Sequence, residues 1–135
     1  MRVLFWYCDK FAWMPAMKTI ETAPEAKEGH YQEVLVPFIH VEPKDVLEGS
    51  SSEKKLLKNI KWLAKKWNNK KVILHSFTHL GEEKADAGEA QELLNRVEIR
   101  LRNVDFEVIQ TPYGYFLDLD MRAKGHPLAR IYKAF

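Results

Sequence analysis

The sequence predicts an α+β fold: one domain in which two amphipathic helices pack on a mixed β-sheet. Three observations lead to this prediction. Two segments repeat apolar residues at helical spacing, and short β-branched and aromatic runs lie before, between and after them. The 135 residues contain no linker-like stretch and no internal repeat. A chain of 135 residues with 46% apolar and 30% charged residues has the composition of a single folded domain, residues 1–135.

The first part of the chain contains two strand-like segments. Residues 3–7 are a short apolar run, which predicts a buried strand, and residues 32–41 alternate in the manner of a second strand. Pro37 lies inside the second segment and removes one ladder donor, which predicts an edge strand or a bulge. Residues 10–29 hold two prolines and mixed charges, so we expect an irregular excursion with at most one short hairpin.

One apolar patch interrupts that irregular region. It consists of Phe11, Trp13 and Met14. We interpret it as a cover for the core or as a contact surface.

The first helix is predicted to begin in residues 49–53, where a serine can accept from the first free amides, and to end near Asn68 and Asn69. Its apolar residues recur at spacings of four, three and four: Leu56, Ile60, Leu63 and Trp67. This spacing forms one stripe that faces the core.

The rest of the chain alternates strand and helix. Residues 72–74 form a buried apolar run, and a second helix is expected over residues 87–103. Its inner face comprises Ala90, Leu93, Leu94, Val97 and Leu101. Residues 106–110 and 115–121 are predicted as two further strands, separated by a turn at residues 112–114.

The composition excludes several classes of function. Cys8 is the only cysteine, which excludes an internal disulfide and a cysteine zinc cluster and fits a reducing cytoplasm. The six glycines form no phosphate-binding motif, and no run of apolar residues is long enough to span a membrane. The net charge of +2 does not indicate a nucleic-acid binder. The lysines between positions 54 and 71 are interpreted as a solvated helix face, with a positive binding surface as the alternative.

Histidines are the residues most able to perform chemistry here. His75 and His79 are four apart, but they straddle a strand end and a loop, a geometry that does not favour a metal site. His75 is interpreted as a strand histidine with one satisfied nitrogen. His79 follows a buried strand, where functional loops often form. Residues 124–127 are interpreted as a tight structural element in which Gly125 permits an unusual backbone angle and the following proline biases His126 toward extended geometry.

Five segments of the chain form a recognisable pattern: residues 1–4, 33–39, 75–80, 111–116 and 124–129. In this order, and together with the Leu-Leu-Asn-Arg-Val run at residues 93–97, they resemble the archaeal editing domain of threonyl-tRNA synthetase. The resemblance implies the fold of D-aminoacyl-tRNA deacylases and hydrolysis of mischarged seryl-tRNA. It also implies a homodimer that takes the 3′ end of a tRNA charged with a small amino acid such as serine, without a cofactor or metal.

The resemblance also assigns site residues. The catalytic loop histidine of the family corresponds to His79. The substrate-binding wall is implied to come from His40, Val41, Phe77, Thr78, Tyr113 and Tyr115. The same substrate-binding set includes Phe116, Leu117 and Arg130, and these three positions depart from the family pattern. The family tyrosine is Phe116 here, its catalytic lysine is Leu117, and its glutamate is Arg130.

Three interpretations of the function follow. The first is an editing deacylase whose activity is weakened or redirected by these departures. The second is a non-catalytic tRNA-binding module that accompanies a threonyl-tRNA synthetase body. The third is a pocket for a different small molecule, since leucine in place of lysine makes the site more apolar. The 135 residues contain no ATP-binding motif, so we expect no aminoacylation.

Overall fold

One mixed sheet of six strands organises the chain, and the computed structural model describes all residues, 1–135. The strands are β1 (Arg2–Lys18), β2 (Gly29–His40), β3 (Lys71–Ser76), β4 (Glu107–Gln110), β5 (Tyr115–Ala123) and β6 (Arg130–Ala134). The helices are α1 (Ser52–Trp67) and α2 (Ala87–Arg102), with short 3₁₀ turns at Pro43–Val46 and Pro127–Ala129. The predicted α+β architecture, a mixed sheet with two helices, is confirmed.

The strands lie in the order β4-β3-β2-β1-β5. Strand β1 is long enough to hold two partners on one side: β6 pairs with its first residues, Arg2 to Trp6, and β5 pairs with Cys8 to Lys18. Strands β2, β3 and β4 are mutually parallel and are joined through α1 and α2. Neither α1 nor α2 has the length and apolar character that a membrane-spanning helix requires.

The two faces of the sheet are buried in different ways. Both helices pack on one face, where their apolar stripes and alternate residues of β1, β2 and β3 form the main core. The opposite face holds a second cluster that contains no helix residue: Cys8, Phe11, Trp13, Val34, Val36, Phe38 and Ile73. An apolar sheet face that includes three buried aromatic rings is therefore left without a helix over it.

The two predicted helices are confirmed. All five residues assigned to the inner face of α2 are buried, as are Leu56, Ile60 and Leu63 of α1. Asp86 caps α2, its carboxylate accepting from the amides of Gly88 and Glu89 at 3.0 and 3.1 Å. At the start of α1, the serine that accepts an amide is Ser50, from Ser52 at 3.2 Å.

The irregular excursion predicted for residues 10–29 is wrong over its first half. Strand β1 continues to Lys18, since it lies between β2 and β5 and both neighbours pair with it. Pro15 is accommodated at a register shift with β5. Phe11 and Trp13 are therefore alternate strand residues buried in the second cluster, and only Met14 of the predicted patch is exposed.

The expectation for Pro37 is also wrong. Strand β2 is central, and its pairing with β1 passes through Phe5 opposite Pro37 without a shift in register. The residues of β2 that pair with β3 are Leu35, Phe38 and Ile39. Pro37 is therefore accommodated in a central strand at a position that does not pair with β3.

Residues 124–127 do form a tight element, but the glycine is not the reason. Gly125 does not adopt positive φ, unlike Gly49 and Gly114. His126 is extended as expected, with φ −143° and ψ 142°, and its side chain accepts from the amide of Leu128. Strand β6, which follows this element directly, was not predicted from the sequence.

Candidate functional site

A cavity of about 440 Å³ opens beyond the carboxyl end of β3. Its walls come from residues 75–79 after and within β3, residues 84–90 at the start of α2, and residues 111–119 around the β4–β5 turn. Thr19, Ile20 and Val41 complete the lining. Segments distant in sequence meet here because β3 lies next to both β2 and β4 in the sheet.

Main-chain hydrogen bonds hold these walls in place. The amide of Phe77 donates to the carbonyl of Ile39 at 2.9 Å, and the amide of Ala85 donates to that of Val41 at 3.0 Å. The carbonyl of Gly114 accepts from the amide of Thr19 at 2.8 Å. Gly114 has φ of +83°, and a Cβ there would lie 3.1 Å from side-chain carbons of Ile20 and Ala23. Glycine is therefore needed at position 114 both for the positive φ and for the close approach of the Ile20 and Ala23 side chains.

His79 stands at the mouth of the cavity. It is exposed on the loop after β3, and neither ring nitrogen has a protein hydrogen-bond partner. Its ring lies nearly parallel to Phe116, with centroids 6.4 Å apart and an interplanar angle of 17°. The ring of Phe77 meets it edge-on at 5.1 Å. The imidazole is thus oriented by aromatic contacts and free to bind a ligand.

Most residues assigned to the substrate wall line the cavity: Val41, Phe77, Thr78, Tyr113, Tyr115, Phe116 and Leu117. The two tyrosine hydroxyls are engaged by the protein. Tyr113 donates to the carbonyl of Ala87 and Tyr115 to that of Pro24, each at 2.7 Å. Burial raises the pKa of Tyr113. Both hydroxyls therefore serve mainly to fix the walls.

His40 does not line the cavity. It is fully buried, with Nε2 2.6 Å from the carbonyl oxygen of Glu83, and its Nδ1 accepts from the amide of Leu80 at 3.0 Å. These bonds fix the tautomer with the proton on Nε2, which donates to Glu83. His40 positions the loop that bears His79 instead of contacting the contents of the cavity.

Arg130 lies elsewhere as well. Its Nη2 donates to the carbonyl of Lys124 at 2.7 Å, and its guanidinium lies 5.8 Å from the centroid of the Trp6 ring. Within one chain, Arg130 does not meet His79, Phe116 or Leu117 at the cavity.

Comparison with known proteins identifies the family to which the chain belongs. The model of the archaea-specific editing domain of threonyl-tRNA synthetase matches residues 1–135. The chain belongs to this family. It is 33% identical over 135 residues to the threonine–tRNA ligase of Thermococcus onnurineus, and 31% identical over 135 residues to that of Thermococcus kodakarensis. Each alignment covers 97% of this chain but only 22% of the relative.

The fold is also found in a solved structure of low sequence similarity. The c-Myc DNA Unwinding Element Binding Protein superposes with a TM-score of 0.68 at 8% identity, covering 100% of this chain and 99% of that one. At this identity the likeness concerns the fold alone, the α+β deacylase-like fold expected from the sequence.

Two cavity residues of this editing domain were not foreseen as site residues. Lys84 is the only lysine, arginine, aspartate or glutamate in the lining, and it forms no ion pair. Its loop has no motif that would have indicated this position. His75 lies at the inner wall, and burial lowers its pKa to about 4, so its ring is neutral at neutral pH. The interpretation of His75 as a strand histidine with one satisfied nitrogen is confirmed by its bond to Thr111.

The editing domain brings no three His, Cys, Asp or Glu side chains together in a metal-binding arrangement.

Proposed function

We propose that this domain hydrolyses the ester of seryl groups wrongly attached to tRNA(Thr), more slowly than family members with a lysine at the position of Leu117. The observation that supports this most is the conjunction of His79 with the residues of the family's main-chain wall around one open cavity. A volume of about 440 Å³ is of the size that holds small ligands. It suits the terminal aminoacyl-adenosine while the body of the tRNA remains outside.

Ester hydrolysis needs an oriented water and a donor for the charge that develops on the carbonyl oxygen. The amides of Thr78 and His79 lie outside regular structure at the cavity and donate to no protein group. They are available as the donors. His79, with both nitrogens free, is in reach of a water at the cavity mouth.

The departures at Phe116 and Leu117 argue for a reduced rate. Both residues line the cavity, and neither can donate a hydrogen bond or supply charge there. Loss of one group that transfers a proton or orients water costs about 10²- to 10⁴-fold in rate. Lys84 is the only positive side chain left to offset this loss, and we assign it the stabilisation of negative charge in the transition state.

A non-catalytic tRNA-binding module is the second candidate, and the apolar pair Phe116 and Leu117 favours it. In both cases the exposed lysines of α1, which form no ion pairs, would face tRNA phosphates. Their contribution would weaken steeply as salt is added. The relatives are threonine–tRNA ligases of which this chain matches 22%, so we propose a synthetase body as partner, in the cytoplasm.

We also propose that the domain acts as a homodimer, as the family resemblance implies. The supporting observation is the sheet face without helices, where Trp6 and Leu117 are only half-buried. Trp6 Nε1 is shielded from water yet has no hydrogen-bond partner. A second copy on this face would bury the aromatic cluster. Sedimentation at micromolar concentration tests this, and a monomer would contradict it.

The central experiment measures deacylation of seryl- and threonyl-tRNA(Thr) by the purified chain. We expect slow, serine-selective hydrolysis that His79→Ala abolishes. Leu117→Lys should accelerate it by about 10²-fold, the lower end of the range for a restored catalytic group. Leu47→Lys is the matched control, because Leu47 is an exposed leucine outside the cavity. No hydrolysis with retained tRNA binding would establish the binding module, and no response to Leu117→Lys would refute the proposed weakening.

A further inference from the structure

The most buried polar part of the cavity is a pair of side chains, His75 and Thr111, each 6% exposed. Every other polar side chain in the lining is exposed or half-buried. The ring of His75 is enclosed by phenylalanines: Phe38 lies 4.6 Å away between centroids, Phe77 6.0 Å and Phe11 6.1 Å. A polar atom in these surroundings has little access to water.

The contacts of this pair limit where the imidazole proton can lie. Thr111 Oγ1 is 2.9 Å from His75 Nδ1 and 3.5 Å from the carbonyl oxygen of Leu74. The hydroxyl either donates to Nδ1, or turns to Leu74 and accepts from Nδ1–H. In the second arrangement, Nε2 of the neutral ring has a lone pair and no proton. It has no protein partner, and it belongs to a residue of the cavity wall.

We propose that His75 adopts the second arrangement and is a specificity-determining residue whose Nε2 accepts a hydrogen bond from the side-chain hydroxyl of the bound seryl group. The inference rests on the proposed function and deepens it. The body of the tRNA must remain in solvent, so the amino acid, at the extreme end of the substrate, reaches the most buried part of the cavity. Only Trp6 Nε1 is both sealed from water and unpaired, so Nε2 of His75 is reached by water from the cavity. A substrate that covers Nε2 must replace the lost hydrogen bond to water, which favours a donor there.

The proposal explains preference for a hydroxyl-bearing amino acid over alanine. It does not separate serine from threonine, since both have the hydroxyl. Discrimination against the extra methyl group must come from the shape of the wall. A neutral acceptor suits this role because it keeps the same hydrogen-bonding capacity across the physiological pH range, its pKa of about 4 being far below neutrality.

Binding of non-hydrolysable analogues tests the proposal without turnover. The probes are 3′-amino-3′-deoxyadenosine carrying seryl or alanyl in amide linkage, measured by calorimetry. We expect the wild-type chain to prefer the seryl probe by about fivefold, the factor of one neutral hydrogen bond. In His75→Phe the two probes should bind equally, and His75→Gln, which keeps an acceptor, should retain part of the preference. His30→Phe is the matched control, since His30 is exposed and outside this cavity.

A measurement on the wild-type chain tests the same inference even if the variants misfold. In ¹⁵N spectra, His75 Nε2 should resonate as an unprotonated nitrogen and shift on addition of the seryl probe but not the alanyl probe. A protonated Nε2, equal binding of both probes to the wild type, or a preference that survives His75→Phe would overturn the inference.

The outcomes also separate this inference from the proposed hydrolysis. Seryl preference in binding without any deacylation would refute hydrolysis and support the role of His75. Deacylation without seryl preference would do the reverse. Failure of the wild type to bind either probe would refute both.

Discussion

Replacement of Asp45 by asparagine is expected to destabilise the domain more than any other single charge change. Asp45 is 4% exposed in the 3₁₀ turn after β2. Its carboxylate lies 2.8 Å from the α-ammonium of Met1, which is itself fully buried, and it accepts from the amide of Glu42 at 2.7 Å. Ser52 Oγ donates to the same carboxylate at the start of α1. One charge therefore ties β1, the turn and α1 together.

The size of the effect follows from what remains after the change. Breaking a buried ion pair by removing one partner costs about 3–5 kcal/mol, because the other charge is left without compensation. Here Glu42 still accepts from the ammonium of Met1 at 2.8 Å. We therefore expect the lower end of the range, about 3 kcal/mol. At about 3 °C per kcal/mol for a domain of this size, the unfolding midpoint falls by about 10 °C.

The pH dependence identifies the charge as the cause. Burial on its own raises the pKa of Asp45, but hydrogen bonds from the ammonium of Met1, Ser52 and Glu42 outweigh it, so the pKa lies below the usual 3.8. A carboxyl with a lowered folded-state pKa contributes stability above its unfolded pKa and loses it as the pH falls through the folded value. The difference between wild type and Asp45→Asn should be constant above about pH 5 and shrink towards pH 3.

Thermal melts followed by circular dichroism at pH 3 to 7 measure this difference. Asp118→Asn is the control: Asp118 is exposed and unpaired, and a change of less than about 0.5 kcal/mol is expected. A loss at pH 7 no larger than that of the control, or a loss that stays the same down to pH 3, would refute the reasoning.

Three further predictions concern single positions. Asp86→Ala should cost about 1 kcal/mol in thermal melts by uncapping α2, and no loss would contradict the cap. Gly29→Ala would place a Cβ 2.2 Å from the ring of Trp13. We expect a loss of about 1–3 kcal/mol and altered near-ultraviolet dichroism, whereas Gly125→Ala, with nothing within 4 Å, should change neither. Burial raises the pKa of Cys8 to about 12, so its thiol should not react with a disulfide reagent at pH 8 until the chain unfolds. Rapid reaction of the native chain would contradict this.

The local periodicity of apolar residues was sufficient to predict the helices. The apolar stripes on α1 and α2 predict the bounds of these helices to within a few residues. A helix buries one face, and the residues of that face recur at a fixed spacing in the sequence. The bounds of the strands were harder to predict from the sequence. Strand β1 extends to Lys18 because β5, about a hundred residues later, pairs with it. Residues 14–18 are mostly exposed and have no alternation that would reveal a strand.

The candidate site shows the same division. His79, Phe116 and Leu117 were found by resemblance to family motifs, and they do meet at one cavity. Lys84 and the bond between His75 and Thr111 lie outside those motifs. Arg130 was assigned to the site on its family position, yet within the chain it packs on Trp6.

The amino-acid sequence by itself determined the family, the helices, the single domain and the type of chemistry to examine. These depend on composition, on spacing along the chain and on short motifs, all of which are local. Only the tertiary structure decided which strands are central, which face of the sheet stays uncovered, and which side chains share the cavity. Such features depend on contacts between residues far apart in sequence. The hydrogen bonds and burial that orient His75 arise only when β3 and the segment after β4 lie side by side.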